Sequence, residues 1–357
     1  MDDLSPCLLR PRVRAGLTAH PGDVTGRHGE TILELPGGRY FLAGPREARI
    51  LALMDGTRTL EELSRAIETT RKEAAETSTK RFVRQLSGLG LLEGLQPTSR
   101  SNENRLRCVP IVDPTPVLVP LCRLARKIPF PIIALGLAGL AGVAAFQTSA
   151  YGDRMWRLWI DWTLSANLPA ALALVWFLGV VHELAHAAAT VLAGGRVRSI
   201  GLTIVGWRFA FYADVRDAVL LRRPARMWIM AAGPLADAVV AVGALVAGRL
   251  LPQVQEGSTI VAAAAALRAG WNLVPVLRTD GYHLLSEVVR RPGLDRRARS
   301  ALIDWLRTRL WRGRAGTPAS TDRFLLWYGA FALAAEASII LALAALIARG
   351  VVRAWNV

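Results

Sequence analysis

Apolar residues gather unevenly along this 357-residue chain, in long blocks at about 129–148, 166–193, 227–250, 260–277 and 324–348. Each is close to the ~20 residues that a helix needs to cross a bilayer. Before residue 128 the pattern changes. Residues 29–43, GETILELPGGRYFLA, alternate apolar and polar positions around Pro36-Gly37-Gly38, which predicts a β-hairpin. Pro45 opens a helical pattern, REARILALMDG, expected to end at Gly56. Thr59 and Glu62 make a capping box ahead of a second helix, LEELSRAI. A third is predicted from Lys80 to Leu92, ending near Gly88 or Gly90. Ile50, Leu53, Leu60, Leu63 and Ile67 are the expected core of these elements.

The division that follows is a winged-helix domain over 1–95, a linker over 96–128 and a membrane-embedded domain over 129–357. Gln96-Pro97, the polar SRSNENR tract and Pro110, Pro114, Pro116 and Pro120 oppose regular structure in the linker. The predicted fold class is therefore mainly α: a polytopic membrane helix bundle of about five spans with an N-terminal winged-helix-like α+β domain.

Charge refines this picture. The net charge is +16, and arginine supplies nearly all of it, with Lys72, Lys80 and Lys127 the only lysines. No nucleic-acid recognition motif accompanies the charge, so nucleic acid is not an expected partner. The basic residues instead flank the apolar blocks, as juxtamembrane arginines do beside anionic lipid. Arg123, Arg126 and Lys127 precede the first block, and the loops 196–226 and 289–314 are basic. By the positive-inside rule the chain is a multi-pass protein of the inner (plasma) membrane with its N-terminal domain in the cytoplasm. Arg349 and Arg353 fall on the outer side by this count, against the rule. Trp156, Trp159 and Trp162 suggest an interfacial aromatic cluster on the far side. Cys7, Cys108 and Cys122 show no disulfide or metal spacing, and the start MDDLSPCLLRPRVRAG lacks the apolar core of a signal peptide.

Candidate chemistry lies inside the second block, ANLPAALALVWFLGVVHELAHAAATVLA. His182 and His186 are four apart, so a helix presents both imidazoles on one face. Glu183 sits beside them. H-E-x-x-H on a helix is the zinc-protease pattern, and ionisable groups at membrane depth are costly and usually functional. His182 is expected roughly 16 Å from the cytoplasmic end of its helix. Catalytic zinc takes three protein ligands. Candidates for the third are Asp214, Asp217, Asp237 and Asp280. Asp280 is preferred, because Pro275 weakens the helix before it and Gly281 allows a turn after it. His20 and His28 carry no ligand spacing and read as surface residues.

Three motifs occur in order: HELAH at 182–186, AAGPLADA at 231–238 and NLVPVLRTDG at 272–281. In these the chain, over about 166–290, resembles the site-2 protease family of intramembrane zinc metalloproteases. The resemblance implies zinc held by His182, His186 and Asp280, with Glu183 as general base and Asn272 contacting the substrate backbone. Asp237 stands where that family often has asparagine, and Tyr282 replaces a second glycine after Asp280-Gly281. His283, next along, is a candidate partner behind the ligands. Residues 20–95, through GRYFLAGPREARILALMDGTRTLEELSRAI, resemble the PqqD-like family, whose members bind the leaders of ribosomally made precursor peptides. On that resemblance a guest strand adds along Thr31–Leu35.

The expected activity is that of a zinc metalloendopeptidase processing a ribosomally made precursor peptide within the membrane. Two alternatives are regulated intramembrane proteolysis of a membrane-bound regulator, and a non-catalytic protein of peptide binding, export or immunity.

Overall fold

The computed structural model describes residues 10–14, 17–21, 31–35, 39–67, 72–93, 107–128, 152–164, 167–205, 208–311 and 322–355, with Gly136, Gly139 and Gly142. The apolar block at 129–148 and His28 otherwise lie outside these residues. The chain divides into two compact units, residues 1–127 with 187–226, and residues 128–186 with 227–357.

In the first unit β1 (Thr18–Pro21), β2 (Thr31–Leu35) and β3 (Arg39–Ala43) form an antiparallel sheet in that order. The expected hairpin is β2 with β3, opposing Leu35 to Arg39 and Thr31 to Ala43. Strand β1 adds to the far side of β2, so β2 is central and paired along both edges. This corrects the placement of a guest strand along Thr31–Leu35, whose main-chain groups are already used.

Three helices follow: α1 (Pro45–Leu53), α2 (Leu60–Ile67) and α3 (Lys72–Gly88). Proline opens α1, but the helix stops at Leu53, before the Asp55–Thr57 turn, where Thr57 N–H donates to Asp55 Oδ1 at 2.9 Å. The capping box forms in both directions: Thr59 N–H donates to Glu62 Oε2 at 2.7 Å and Glu62 N–H to Thr59 Oγ1 at 3.3 Å. Helix α3 begins at Lys72 rather than Lys80, because KEAAETST is too polar to show an apolar stripe. Ile50, Leu60 and Leu63 are buried with Phe82, Val83 and Leu86, while Leu53 lies at the margin. The side chain of Ile67 is outside the described set.

Residues 107–128 are ordered where a linker was expected. They form β4 (Arg107–Val112) and α4 (Thr115–Ala125). Three of the four prolines sit where they cost little, Pro110 at a register shift on an edge strand and Pro114 and Pro116 at the start of α4, whereas Pro120 stands inside α4, where it removes one helix hydrogen bond. Strand β4 pairs with β5 (Ile200–Val205), which pairs with β6 (Arg208–Ala213), in a second antiparallel sheet. A 3-10 turn, Arg216–Leu220, follows and carries the buried Asp217. The Tyr40 hydroxyl donates to Asp217 Oδ1 at 2.8 Å, and Arg198 Nη2 donates to the same oxygen at 3.1 Å. Burial and the bond to Asp217 push the Tyr40 hydroxyl up to about 12, so it remains a donor at neutral pH.

The second unit is helical. A helix over 152–164 (α5) precedes α6 (Leu168–Leu192), α7 (Arg223–Leu250), α8 (Gln255–Leu273), α9 (Asp280–Val288), α10 (Leu294–Trp311) and α11 (Arg323–Trp355). Three are long and apolar enough to cross a membrane: Leu168–Leu192, Arg223–Leu250 and the Arg323–Leu341 stretch of α11. These point to a membrane protein. Helix α8, the expected fourth span, falls short. Its first turn is polar, and its run Ala262–Ala265 is fully buried within the unit rather than facing outward. Trp156 and Trp159 likewise pack against these alanines and their neighbours.

The segment between α8 and α9 is held from several sides. Val274, ahead of Pro275, takes extended backbone and ends α8. Thr279 Oγ1 donates to Val274 O at 2.7 Å, and the Tyr328 hydroxyl donates to Pro275 O at 2.7 Å. Arg278 Nη2 donates to Asp295 Oδ2 at 3.1 Å, and Arg299 Nε donates to Asp295 Oδ1 at 2.6 Å. Burial alone would raise the Asp295 carboxyl, but the bonds from Arg299 and Arg278 outweigh it and hold it below the ordinary carboxylate value. A carboxyl depressed in the folded state stabilises the fold above its unfolded pKa of about 4, and that contribution fades as pH falls further. Asp295→Asn should therefore lower thermal stability at neutral pH. The loss on acidification below about pH 4 should also be shallower than in the unmodified protein, as unfolding curves taken across that range measure.

Candidate metal centre

Helix α6 is uniformly apolar apart from HELAH, and α-helical spacing turns His182 and His186 to the same side. Both are buried, and their ring centroids stand 4.8 Å apart in an edge-on arrangement. Each imidazole is fixed through its Nδ1. His186 Nδ1 lies 2.7 Å from the Ile229 carbonyl oxygen, which can only accept, so Nδ1 carries the proton. His182 Nδ1 lies 2.7 Å from Asp237 Oδ2, and donates to it in the same way. Both Nε2 atoms then present lone pairs, 3.2 Å from each other.

Asp280, the first residue of α9, brings the third atom. Its Oδ2 is 3.0 Å from His182 Nε2 and 3.3 Å from His186 Nε2. Three lone-pair-bearing atoms thus form a triangle with edges of 3.0–3.3 Å. Their mutual repulsion is relieved by a cation between or above them. Nitrogen and oxygen ligands at ~2.0–2.2 Å from a tetrahedral ion stand ~3.3–3.6 Å apart, close to the observed edges. The group can hold a metal ion.

Gly233 on α7 leaves the space. A Cβ at this position would lie 2.4 Å from each Nε2. Gly281 has a different role from the turn expected of it. It lies inside α9, and a Cβ there would meet the Leu273 carbonyl oxygen at 2.3 Å. What it permits is close approach of α9 to the end of α8, while the turn itself occupies 274–279.

The other acids considered as ligands are engaged elsewhere. Arg216 Nε donates to Asp214 Oδ1 at 2.7 Å, and Asp217 takes Tyr40 and Arg198. Asp237 stands behind His182 rather than beside it at the centre. Its far oxygen, Oδ1, lies 3.5 Å from Arg268 Nε, an electrostatic contact rather than a hydrogen bond. Arg268 Nη1 donates to the Val175 carbonyl at 3.4 Å. The chain Arg268–Asp237–His182 is a carboxylate–histidine pair of the kind that fixes metal-ligating imidazoles, with a cation behind it. Arg268 went unnoticed in the sequence, although an arginine in the run AAAAALRAG was signal enough.

Glu183 is half-buried, one residue along from His182. Asn272 is half-buried in the last turn of α8, and its side-chain amide has no hydrogen-bond partner among the described residues. His283 packs edge-on to the Tyr282 ring at 5.1 Å, and its ring makes no hydrogen bond to the three ligand atoms. His20 is a partly exposed strand residue, 3.4 Å from Glu34. Comparisons with known protein families, curated proteins and solved structures find no match to this chain.

Gly233→Ala should abolish metal binding while leaving the helical content unchanged, since its methyl group fills the space in front of both Nε2 atoms. Metal analysis beside circular dichroism tests this. Asp237→Ala should weaken metal affinity by about 10- to 100-fold, read by titration with cobalt(II) and its visible absorption.

Proposed function

We propose that the protein is a zinc metalloendopeptidase that cuts peptide bonds within the inner membrane, processing a ribosomally made precursor peptide. The observation that carries this reading is the cluster of His182 Nε2, His186 Nε2 and Asp280 Oδ2, its two histidines on a helix long and apolar enough to cross a bilayer. Two imidazoles and a carboxylate are a ligand set typical of hydrolytic zinc, leaving a coordination position open. The chemistry zinc supplies when bound is Lewis-acid polarisation and the acidification of water at neutral pH.

The chain's own residues supply the rest. Asp237 and the Ile229 carbonyl hold the two imidazoles in the tautomer that points Nε2 inward. Glu183 accepts the proton of the attacking water and returns it to the leaving amine. The unpartnered amide of Asn272 bonds the main chain of an unwound substrate segment. Burial of the cluster keeps bulk water away, so each electrostatic contact is strong. Support for a leader-bearing substrate comes from the N-terminal sheet and three helices, with the sequence likeness to leader-binding domains. Tethering the leader there raises the local concentration of the cleavage region. With β2 paired on both sides, the sheet's outer edges are those of β1 and β3. Basic loops favour a cytoplasmic N-terminal domain.

The test is incubation of the purified, zinc-loaded protein in detergent or lipid with its precursor peptide. Glu183→Gln should retain zinc and lose at least 100-fold in cleavage rate, within the contribution expected of a general base. Unchanged cleavage by that variant would defeat the reading. Undiminished cleavage after removal of residues 1–95 would leave the protease and remove the leader.

A further inference from the structure

Helix α4 carries two apolar stripes, about a third of a turn apart. Leu118 faces inward, against Ala187, Val197 and Ile200, and Cys122 one turn on is buried as well. Val117, Leu121 and Leu124, at positions i, i+4 and i+7, form a second apolar stripe that is 57–64 % exposed. The adjoining edge strand β4 adds Val109, Ile111 and Val112, each more than half exposed. A soluble surface rarely exposes so many large apolar side chains within one short stretch of chain.

The place of α4 says what covers it. Cys122 Sγ–H points to the Ala188 carbonyl at 3.6 Å, and Arg126 Nη2 donates to the carbonyls of Val191 and Leu192 at 3.1 and 2.9 Å. Arg126 thereby caps the last turn of α6, where a cation suits the helix dipole. Helix α6 has 25 residues. At ~1.5 Å per residue it is ~37 Å long, ~7 Å more than the ~30 Å hydrocarbon core, and Gly194, Gly195, Arg196 and Arg198 directly after it put its last turn at the headgroup level. A helix clamped to that turn lies at the same level. The exposed Arg123 lies between Leu121 and Leu124, and the exposed Lys127 three residues beyond Leu124.

We infer that α4 and β4 form an interfacial anchor, with Val117, Leu121 and Leu124 sunk into the acyl boundary and Arg123 and Lys127 on anionic phospholipid headgroups. Such elements bind by buried apolar area together with attraction to acidic lipid. The anchor holds whether or not the protein is a protease, since nothing in it involves the metal ligands.

The full chain in lipid nanodiscs, carrying Cys7→Ser and Cys108→Ser with the buried Cys122 retained, takes a bimane label at Val117→Cys, Leu121→Cys or Leu124→Cys. The unlabelled parent controls for Cys122. All three labels should show blue-shifted emission, quenched by nitroxide lipid and little by aqueous iodide. Nitroxide phosphatidylglycerol should quench more strongly than nitroxide phosphatidylcholine. Arg123→Gln and Lys127→Gln should each lower that preference, by up to about fivefold. Adding soluble glycerol phosphate should not compete, which separates a lipid headgroup from a free phosphate. Iodide quenching in place of lipid quenching would overturn the anchor. Equal quenching by the two lipids, or competition by the soluble phosphate, would overturn the headgroup assignment.

Discussion

The close approach of α7 to α6 at Gly233 is the constraint from which the centre follows. With a hydrogen in place of a side chain, the backbone of α7 comes near enough for the Ile229 carbonyl to reach His186 Nδ1 and for Asp237, one turn on, to reach His182 Nδ1. The spacing within α7 does the rest: 229, 233 and 237 recur every four residues and share a face. One helix thus offers the two histidines, and α7 both orients them and leaves the space before them. Any side chain at 233 would separate these two functions.

Burial then dictates what surrounds the cluster. An ionised carboxylate such as Asp237, about 1 % exposed, is expensive to bury without compensation. The compensation is divided between the His182 N–H and the Arg268 guanidinium, and Arg268 in turn bonds the Val175 carbonyl. Asp280 faces the opposite problem, since it opens a short helix straight after an irregular turn yet must stay put. Its position is set by a short segment whose carbonyls are taken by Thr279 and Tyr328 and whose Arg278 is tied to Asp295. The two acids are therefore held by different means: one by a helix face, the other by a pinned turn.

This difference decides what could be read from the sequence. His182 and His186 were legible because i, i+4 spacing is a property of one helix, and Thr59 with Glu62 for a similar reason. Asp280 was reached through motif order and the proline ahead of it, and the structure places it at the centre. Its glycine neighbour misled, because sequence shows that Gly281 lacks a side chain but not whether a turn or a neighbouring carbonyl requires this. The role of Asp237 needed the distance to α6, which no local pattern contains. Strand β1 and the β4–β5 pairing were illegible for the same reason: each joins segments separated by a stretch whose length says nothing about pairing. In 107–128 proline count alone argues against regular structure, yet an edge strand and a first helical turn accept Pro110, Pro114 and Pro116, and α4 continues through Pro120.

The polar contacts of the first unit fasten its N-terminal sheet to the residues that follow α6. Tyr40 on β3 and Arg198 ahead of β5 converge on Asp217, and Arg198 also lies 3.7 Å from Glu34 on β2. Asp217 thus joins the N-terminal sheet to the segment that connects two membrane-length helices, α6 and α7. A flexible tether raises local concentration without fixing direction. A sheet fastened by a buried carboxylate instead presents its open edges at a set angle to that segment.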